Sequence, residues 1–359
     1  MEQKNADMKK PTAAMWKCLF VAAAIVASLA GCRKSDKSGD TPAESRSEVP
    51  LVIYDTDIGS STDDLFGLMM LYDYERRGMC RLLGVVVDRE GEDCAACADV
   101  MNTYFGRGEV PIALVRNGID SPRVWIDYRG LPRYKLADSS AMFLRSVADC
   151  GALPDGWQLY RRLLSAQPDH SVSIVSVGFL ACLAQLLQSQ GDTISPYSGV
   201  ELVRRKVKGI YIQGGMFGES EEPDFNFFQG MDFARTFFDL WPREVEMVFS
   251  PMEAGNLVEY APEQVVADIA WTDRHPVKQV YLTCNCRTGQ KMWDVLAAVC
   301  AVEGGSRFSL SERGTVELTP GGATLFTPSE AGNCRYQMPG SEVWAQAMLD
   351  SIRRVAATH

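Results

Sequence analysis

The stretch "DTDIGSSTDD", Asp55 to Asp64, sets four carboxylates within ten residues, directly after the apolar run "PLVIY". Carboxylates this close repel one another and raise each other's pKa. A helix beginning at "TDD" accounts for two of them, because a helix N-terminus favours negative charge by about 0.3–1 kcal/mol per group. It does not account for the convergence of all four. A bound hard cation does, since Ca²⁺ and Mg²⁺ take carboxylate and carbonyl oxygens and need neither Cys nor His. The sulfur-based candidates carry less. "CAAC" (Cys94, Cys97) and "CNC" (Cys284, Cys286) stand far apart with no His beside them, which is a weak zinc pattern, so these thiols read as structural.

The elements that must position the acidic loop follow from the pattern around it. "LVIYDT" reads as a buried strand and "DDLFGLMMLYDYERRG" as a helix with an acidic start and Gly78 as its stop. "RLLGVVVD", "VPIALV", "SVSIVSVG", "VKGIYIQGG" and "EVEMVFS" read as further strands. "DCAACADVMNTYFGRG", "FLACLAQLLQSQG", "MDFARTFFDLW" and "WDVLAAVCAVEG" are helices between and after them, and "RGTVELTPGGATLF" is a hairpin. Alternation of this kind predicts an α/β fold: an open, mainly parallel (mixed) sheet flanked by helices, of Rossmann-like type. Ligands of such sheets bind beyond the carboxyl ends of the strands, where Asp55 and Asp57 sit. The long segment "RNGIDSPRVWIDYRGLPRYKLAD" has little periodicity and reads as a flap near that site, with Trp125, Tyr128 and Tyr134 to order it.

Of the 359 residues 46% are hydrophobic and 23% charged, an ordinary globular balance that supplies a large core. The formal net charge is −10; residues before Cys32 carry +2, which leaves −12 from Cys32 onward. That excludes nucleic acid and anionic membrane as main partners. Lys9, Lys10 and Lys17 precede the apolar run "CLFVAAAIVASLA", too short for a spanning helix and typical of an export signal. It ends in "LAGC", which resembles the lipobox of bacterial lipoproteins and implies cleavage before Cys32 and lipidation of its thiol. Residues 1–31 are then the signal, 32–49 a polar tether and 50–359 one domain. The expected location is the cell envelope, with membrane contact through the lipid anchor only and self-association left open.

"DTDIGSSTDD" resembles the signature of the inosine–uridine-preferring nucleoside hydrolases, whose first strand ends in an Asp-rich loop that binds Ca²⁺. "SIVSVGFLACLA", "IQGGMFGESEEPDFNFFQGMDFARTFF" and "MWDVLAAVCAVEG" are similar to later motifs of that family in the same order. The resemblance implies Ca²⁺ held by Asp57, Asp64, Asp294 and the main-chain carbonyl of Val177. It implies sugar contacts from Asp63, Asp224 and Asn226, and hydrolysis of a nucleoside N-glycosidic bond by a water that Asp57 deprotonates. Trp293, beside the base, stands where well-studied members carry a proton-donating His, and the chain has only three histidines, His170, His275 and His359. Two alternatives stand beside this reading. One is a lipid-anchored ribose- or nucleoside-binding protein with little turnover. The other is a Mg²⁺-dependent phosphatase, because "DTD" is also similar to the Asp-x-Asp loop of haloacid dehalogenases, although Gly59 replaces the Thr or Val expected there.

Overall fold

The computed structural model describes residues 49–120, 125–218 and 222–358. The expected signal, Cys32 and the tether as far as residue 48 lie outside the described residues. The strands are β1 (Leu51–Thr56), β2 (Arg81–Val87), β3 (Ile112–Leu114), β4 (Val172–Ser176), β5 (Val207–Gln213) and β6 (Glu246–Ser250). They continue with β7 (Glu259–Tyr260), β8 (Gln290–Lys291), β9 (Gly314–Leu318), β10 (Thr324–Pro328) and β11 (Cys334–Tyr336). Nine of them form one sheet in the order β10-β9-β11-β6-β5-β4-β1-β2-β3, while β7 and β8 form a separate antiparallel ribbon. From β11 through β6 to β3 every pairing is parallel. The expected hairpin is present as antiparallel β9 and β10, and β9 joins the sheet through an antiparallel pairing with β11.

Alternation along the strands explains the layers. Val52 and Tyr54 of β1 face one apolar core with Leu82, Val85 and Val87 of β2; Ile53, Leu83 and Val86 face the other. Helices Asp63–Arg76, Glu92–Tyr104, Trp293–Glu303 and Glu342–Ala356 cover the first face. Helices Gly156–Ser165, Ala181–Gln188, Gly199–Lys206 and Met231–Leu240 cover the second. Helix Asp63–Arg76 lies close on β1 because Gly67 presents no side chain: a Cβ there would stand 2.4 Å from the Tyr54 hydroxyl. That hydroxyl in turn donates to the Asp64 carbonyl at 3.1 Å, pinning the helix start over the strand.

Chain order along the sheet reverses at β1, whose neighbours are β4 on one side and β2 on the other. Loops leaving β1 and β4 therefore part in opposite directions and open a crevice at their carboxyl ends. Asp57 follows β1 there and Val177 follows β4. The nine described cysteines, Cys94, Cys97, Cys284 and Cys286 among them, are all free thiols. Among the described residues no helix is long and apolar enough to cross a membrane.

Candidate active site

A cleft of about 480 Å³, counted to its open mouth, lies over this crevice. Asp57, Asp63, Asp64, Val177, Asp224, Asn226, Trp293 and Asp294 all line it, although strands β2 to β6 of the central sheet lie between the first and the last in the chain. The structure thus brings every sequence-expected residue of the cleft to one place. Ser60, Ser61, Trp125, Gln213, Phe225 and Met252 complete the wall.

Asp63 and Asp64 occupy the first turn of their helix, and both are buried. Asp294 occupies the first turn of helix Trp293–Glu303 and meets them there, its N–H donating to Asp63 Oδ2 at 3.4 Å. Each of the three offers a carboxylate oxygen, and those atoms lie within 4.8 Å of one another. Asp63 is well supplied with donors: Ser61 Oγ and, at 3.1 Å, Gln290 Nε2 both donate to its Oδ1. Asp64 is not. Thr56 donates to its Oδ1, while its Oδ2 is buried with no hydrogen-bond partner. An acceptor-only oxygen left bare beside two more carboxylates fits a cation, because no donor among the described residues satisfies it.

Electrostatics point the same way. Burial holds the Asp64 and Asp294 carboxyls well above the usual carboxylate range, with neighbouring carboxylates adding to the rise. Burial pushes Asp63 up to about 7, against the hydrogen bonds it accepts. Three such groups cannot all be ionised here without a counter-charge.

Asp57 lines the same cleft as Asp64 and Asp294 and is paired with a cation of its own. Its Oδ2 accepts from Arg89 Nη2 at 3.0 Å, and its carbonyl accepts from Arg89 Nε at 3.0 Å. Arg89 is fully buried, donates also to Ser60 Oγ at 2.8 Å, and lies over the Phe179 ring, 5.0 Å from its centre. Burial still raises the Asp57 carboxyl, but the guanidinium works against the rise. Arg89 was missed in the sequence; its one signal is position, two residues past the end of β2 and so at the carboxyl edge of the sheet.

Two other carboxylates nearby have partners of their own. Asp55 accepts at Oδ2 from the Tyr160 hydroxyl, 2.7 Å away. Asp88 accepts from the Ala181 and Cys182 N–H groups, both at 2.9 Å, and so caps helix Ala181–Gln188 where Leu180 sits in the left-handed region at φ +64°. The opposite wall comes from the "PDFN" stretch. Asp224 caps helix Phe225–Gln229 by accepting from the Asn226 and Phe227 N–H groups, and burial raises its carboxyl to about 6. Asn226 Nδ2 donates to the Val177 carbonyl at 3.0 Å and to Gln213 Oε1 at 2.6 Å. The preceding turn needs Gly215, at φ +88°, to bring β5 into this wall.

The expected flap is tied to the acidic loop. Tyr128 is buried; its hydroxyl accepts from Gly59 N–H at 2.9 Å and donates to the Ser61 carbonyl at 2.8 Å. The Trp125 and Ile126 N–H groups donate to the Ser60 carbonyl. Tyr134 reaches instead to Thr283 and Cys284, away from the cleft. Trp293 edges the cleft with its indole N–H donated to Asn256 Oδ1 at 3.0 Å.

Against solved structures, the chain matches an inosine–uridine-preferring nucleoside hydrolase from Bacillus anthracis with a TM-score of 0.63 at 17% identity, over 86% of this chain and 99% of that one. The fold is that of the nucleoside hydrolases. A plant nucleoside hydrolase, PpNRh1, matches with a TM-score of 0.62 at 15% identity, over 85% of this chain and 98% of that one. The type III effector protein XopQ, complexed with adenosine diphosphate ribose, matches with a TM-score of 0.60 at 17% identity, over 87% and 95%. At such identities the likeness carries the fold, and the chemistry rests on this chain's own cleft. No protein-family model matches the chain, and no curated protein matches it.

Proposed function

We propose that this chain is a calcium-dependent ribosidase that hydrolyses the N-glycosidic bond of nucleosides. The observation that carries it is the bare, buried Asp64 Oδ2 in a trio with Asp63 and Asp294, at the switch point of a nucleoside hydrolase fold. Asp63, Asp64, Asp294 and the Val177 carbonyl hold the ion, with Asp57 at the edge of that shell. When bound, a divalent cation supplies Lewis acidity that lowers the pKa of water. All-oxygen donors of this kind suit Ca²⁺ or Mg²⁺, not zinc.

The chain's own residues do the rest. Arg89 fixes the rotation of the Asp57 carboxylate through Oδ2, and Asp57 accepts the proton of the attacking water with its other oxygen. Asp63, Asp224 and Asn226 take the ribose hydroxyls, and the surrounding carboxylates stabilise positive charge as it develops on the sugar ring. A ribosyl ligand is the class bound in the related XopQ complex. Export and lipid attachment at Cys32 belong to the same proposal.

The test is reducing-sugar release from a nucleoside panel by the wild type and Asp57→Asn, with calcium and with chelator. Release that chelation and Asp57→Asn each abolish is expected. A chain that binds calcium yet frees ribose from no nucleoside refutes the hydrolase reading and leaves a binding protein.

A further inference from the structure

The base end of the cleft carries a combination the hydrolase reading does not use. The titratable lining of the cleft as a whole is five carboxylates, Asp57, Asp63, Asp64, Asp224 and Asp294, and no Lys, Arg or His lines it among the described residues. With a divalent cation bound and Arg89 counted, five ionised carboxylates still leave −2. The mouth is aromatic: Trp125 is 64% exposed, its ring centre lies 5.8 Å from that of Phe225, and Trp293 and Met252 face the same space. The Trp293 N–H is committed to Asn256, so that indole has no free donor for the base. Of the histidines, His275 is buried among the rings of Tyr104, Phe105 and Trp271, and His170 precedes β4 at the other end of the sheet.

Such a mouth suits a base that is already positive. Aromatic faces attract a cation, a net negative cleft draws it in, and a base with a fixed charge needs no proton in order to leave. We propose that the preferred substrates are cationic N-ribosides: N-ribosyl pyridiniums or N7-alkylated purine ribosides. The proposal rests on the ribosidase reading above. The C1′–N bond breaks and its electron pair passes to the ring system, cancelling the base's positive charge. Water oxygen forms the new bond at C1′, and the water proton passes to Asp57 and then to solvent. The base departs neutral, and nothing is oxidised or reduced.

The experiment compares inosine with 7-methylinosine, and nicotinamide riboside with 4-nitrophenyl riboside, a neutral substrate with a good leaving group, all with the calcium-loaded full chain. General-acid assistance is worth about 10²–10⁴-fold, so kcat/KM for 7-methylinosine is expected to exceed that for inosine by at least about 100-fold. A ratio under about 10 overturns the proposal, as does 4-nitrophenyl riboside matching the pyridinium. Ribose release from no riboside sinks the hydrolase reading itself and this proposal with it; similar release from all leaves that reading standing and overturns this one alone. Recognition of the charge is read separately by competition, with 1-methylnicotinamide expected to inhibit at least about tenfold more tightly than nicotinamide. Equal inhibition contradicts a cation subsite. Trp125→Leu, at an exposed position, is expected to raise KM for 7-methylinosine about three- to tenfold with little change in kcat. An equal rise for inosine assigns Trp125 to shape alone and overturns its part.

Discussion

Replacing Arg89 by Met tests how the acidic cleft is held together. Met keeps much of the apolar stem and removes the charge. The wild-type guanidinium is fully buried and donates to the Asp57 carbonyl and Oδ2, both at 3.0 Å, and to Ser60 at 2.8 Å. Breaking one side of a buried ion pair costs about 3–5 kcal/mol, because the partner charge stays behind without compensation. In chelator that is the expected loss from urea unfolding. Its upper end is limited by protonation of Asp57, whose carboxyl burial already raises. In saturating calcium the ion takes up the freed charge, and the loss shrinks by at least about 1.4 kcal/mol. The same cycle makes calcium bind at least about tenfold tighter to the variant. That size is reasonable, since a unit charge about 10 Å away at an effective dielectric near 20 contributes roughly 1.7 kcal/mol, and Arg89 already acts on the Asp64 carboxyl. Urea titrations with and without chelator, joined to calcium calorimetry, close the cycle. A loss under about 1 kcal/mol in both conditions, or an unchanged calcium affinity, would refute the charge coupling.

Asp64→Asn keeps an acceptor for Thr56 and removes a carboxyl held well above its usual range by burial and its neighbours. Scanning calorimetry should give this variant a higher Tm than the wild type in chelator and no rise on adding calcium, where the wild type rises. Burial among aromatic rings lowers the His275 pKa to about 3, so the folded chain holds it neutral while the unfolded chain takes up a proton below pH about 6.5. Stability is therefore lost as pH falls from about 6.5 toward 3, by roughly 2 kcal/mol at pH 5. His275→Phe should gain that amount relative to wild type between pH 8 and pH 5 in urea titrations, and parallel curves contradict it. Tyr128→Phe removes one donor and one acceptor that tie the flap to Gly59 and Ser61. It should cost about 1–2 kcal/mol and raise KM more than it lowers kcat in the ribose-release assay.

Long elements with a clear period were legible in the sequence. β1, β2, β4, β5 and β6 stand where their apolar runs placed them, and so do the helices that begin at Asp63 and Trp293. Short elements were not. "VPIALV" yields only the three residues of β3, and β11, Cys334–Tyr336, is too short to show any alternation. Its parallel place beside β6 is a tertiary fact with no local signal. In the site, the acidic and Asn residues converge as their motifs implied, because each ends a strand or opens a helix at one edge of the sheet. Arg89 and Gln290 escaped notice because their roles arise across 29 and 229 residues of sequence, where no spacing rule reaches.

The crowding at the acidic loop resolves into separate solutions to one electrostatic problem. Asp55 is bonded to the Tyr160 hydroxyl, Asp88 to two N–H groups at a helix start, and Asp57 to a buried guanidinium. Each uses a donor fixed in the fold, which offsets part of the cost of burial whether or not an ion is present. Asp63, Asp64 and Asp294 share no such cation, and Asp64 Oδ2 has no donor at all. Asp55 Oδ1 is bare as well, but Asp64 Oδ2 is bare within a trio of carboxylates, so the unmet charge is greatest there. That place is where an ion gains most by binding, and it adjoins the one carboxylate, Asp57, whose rotation the protein has already set.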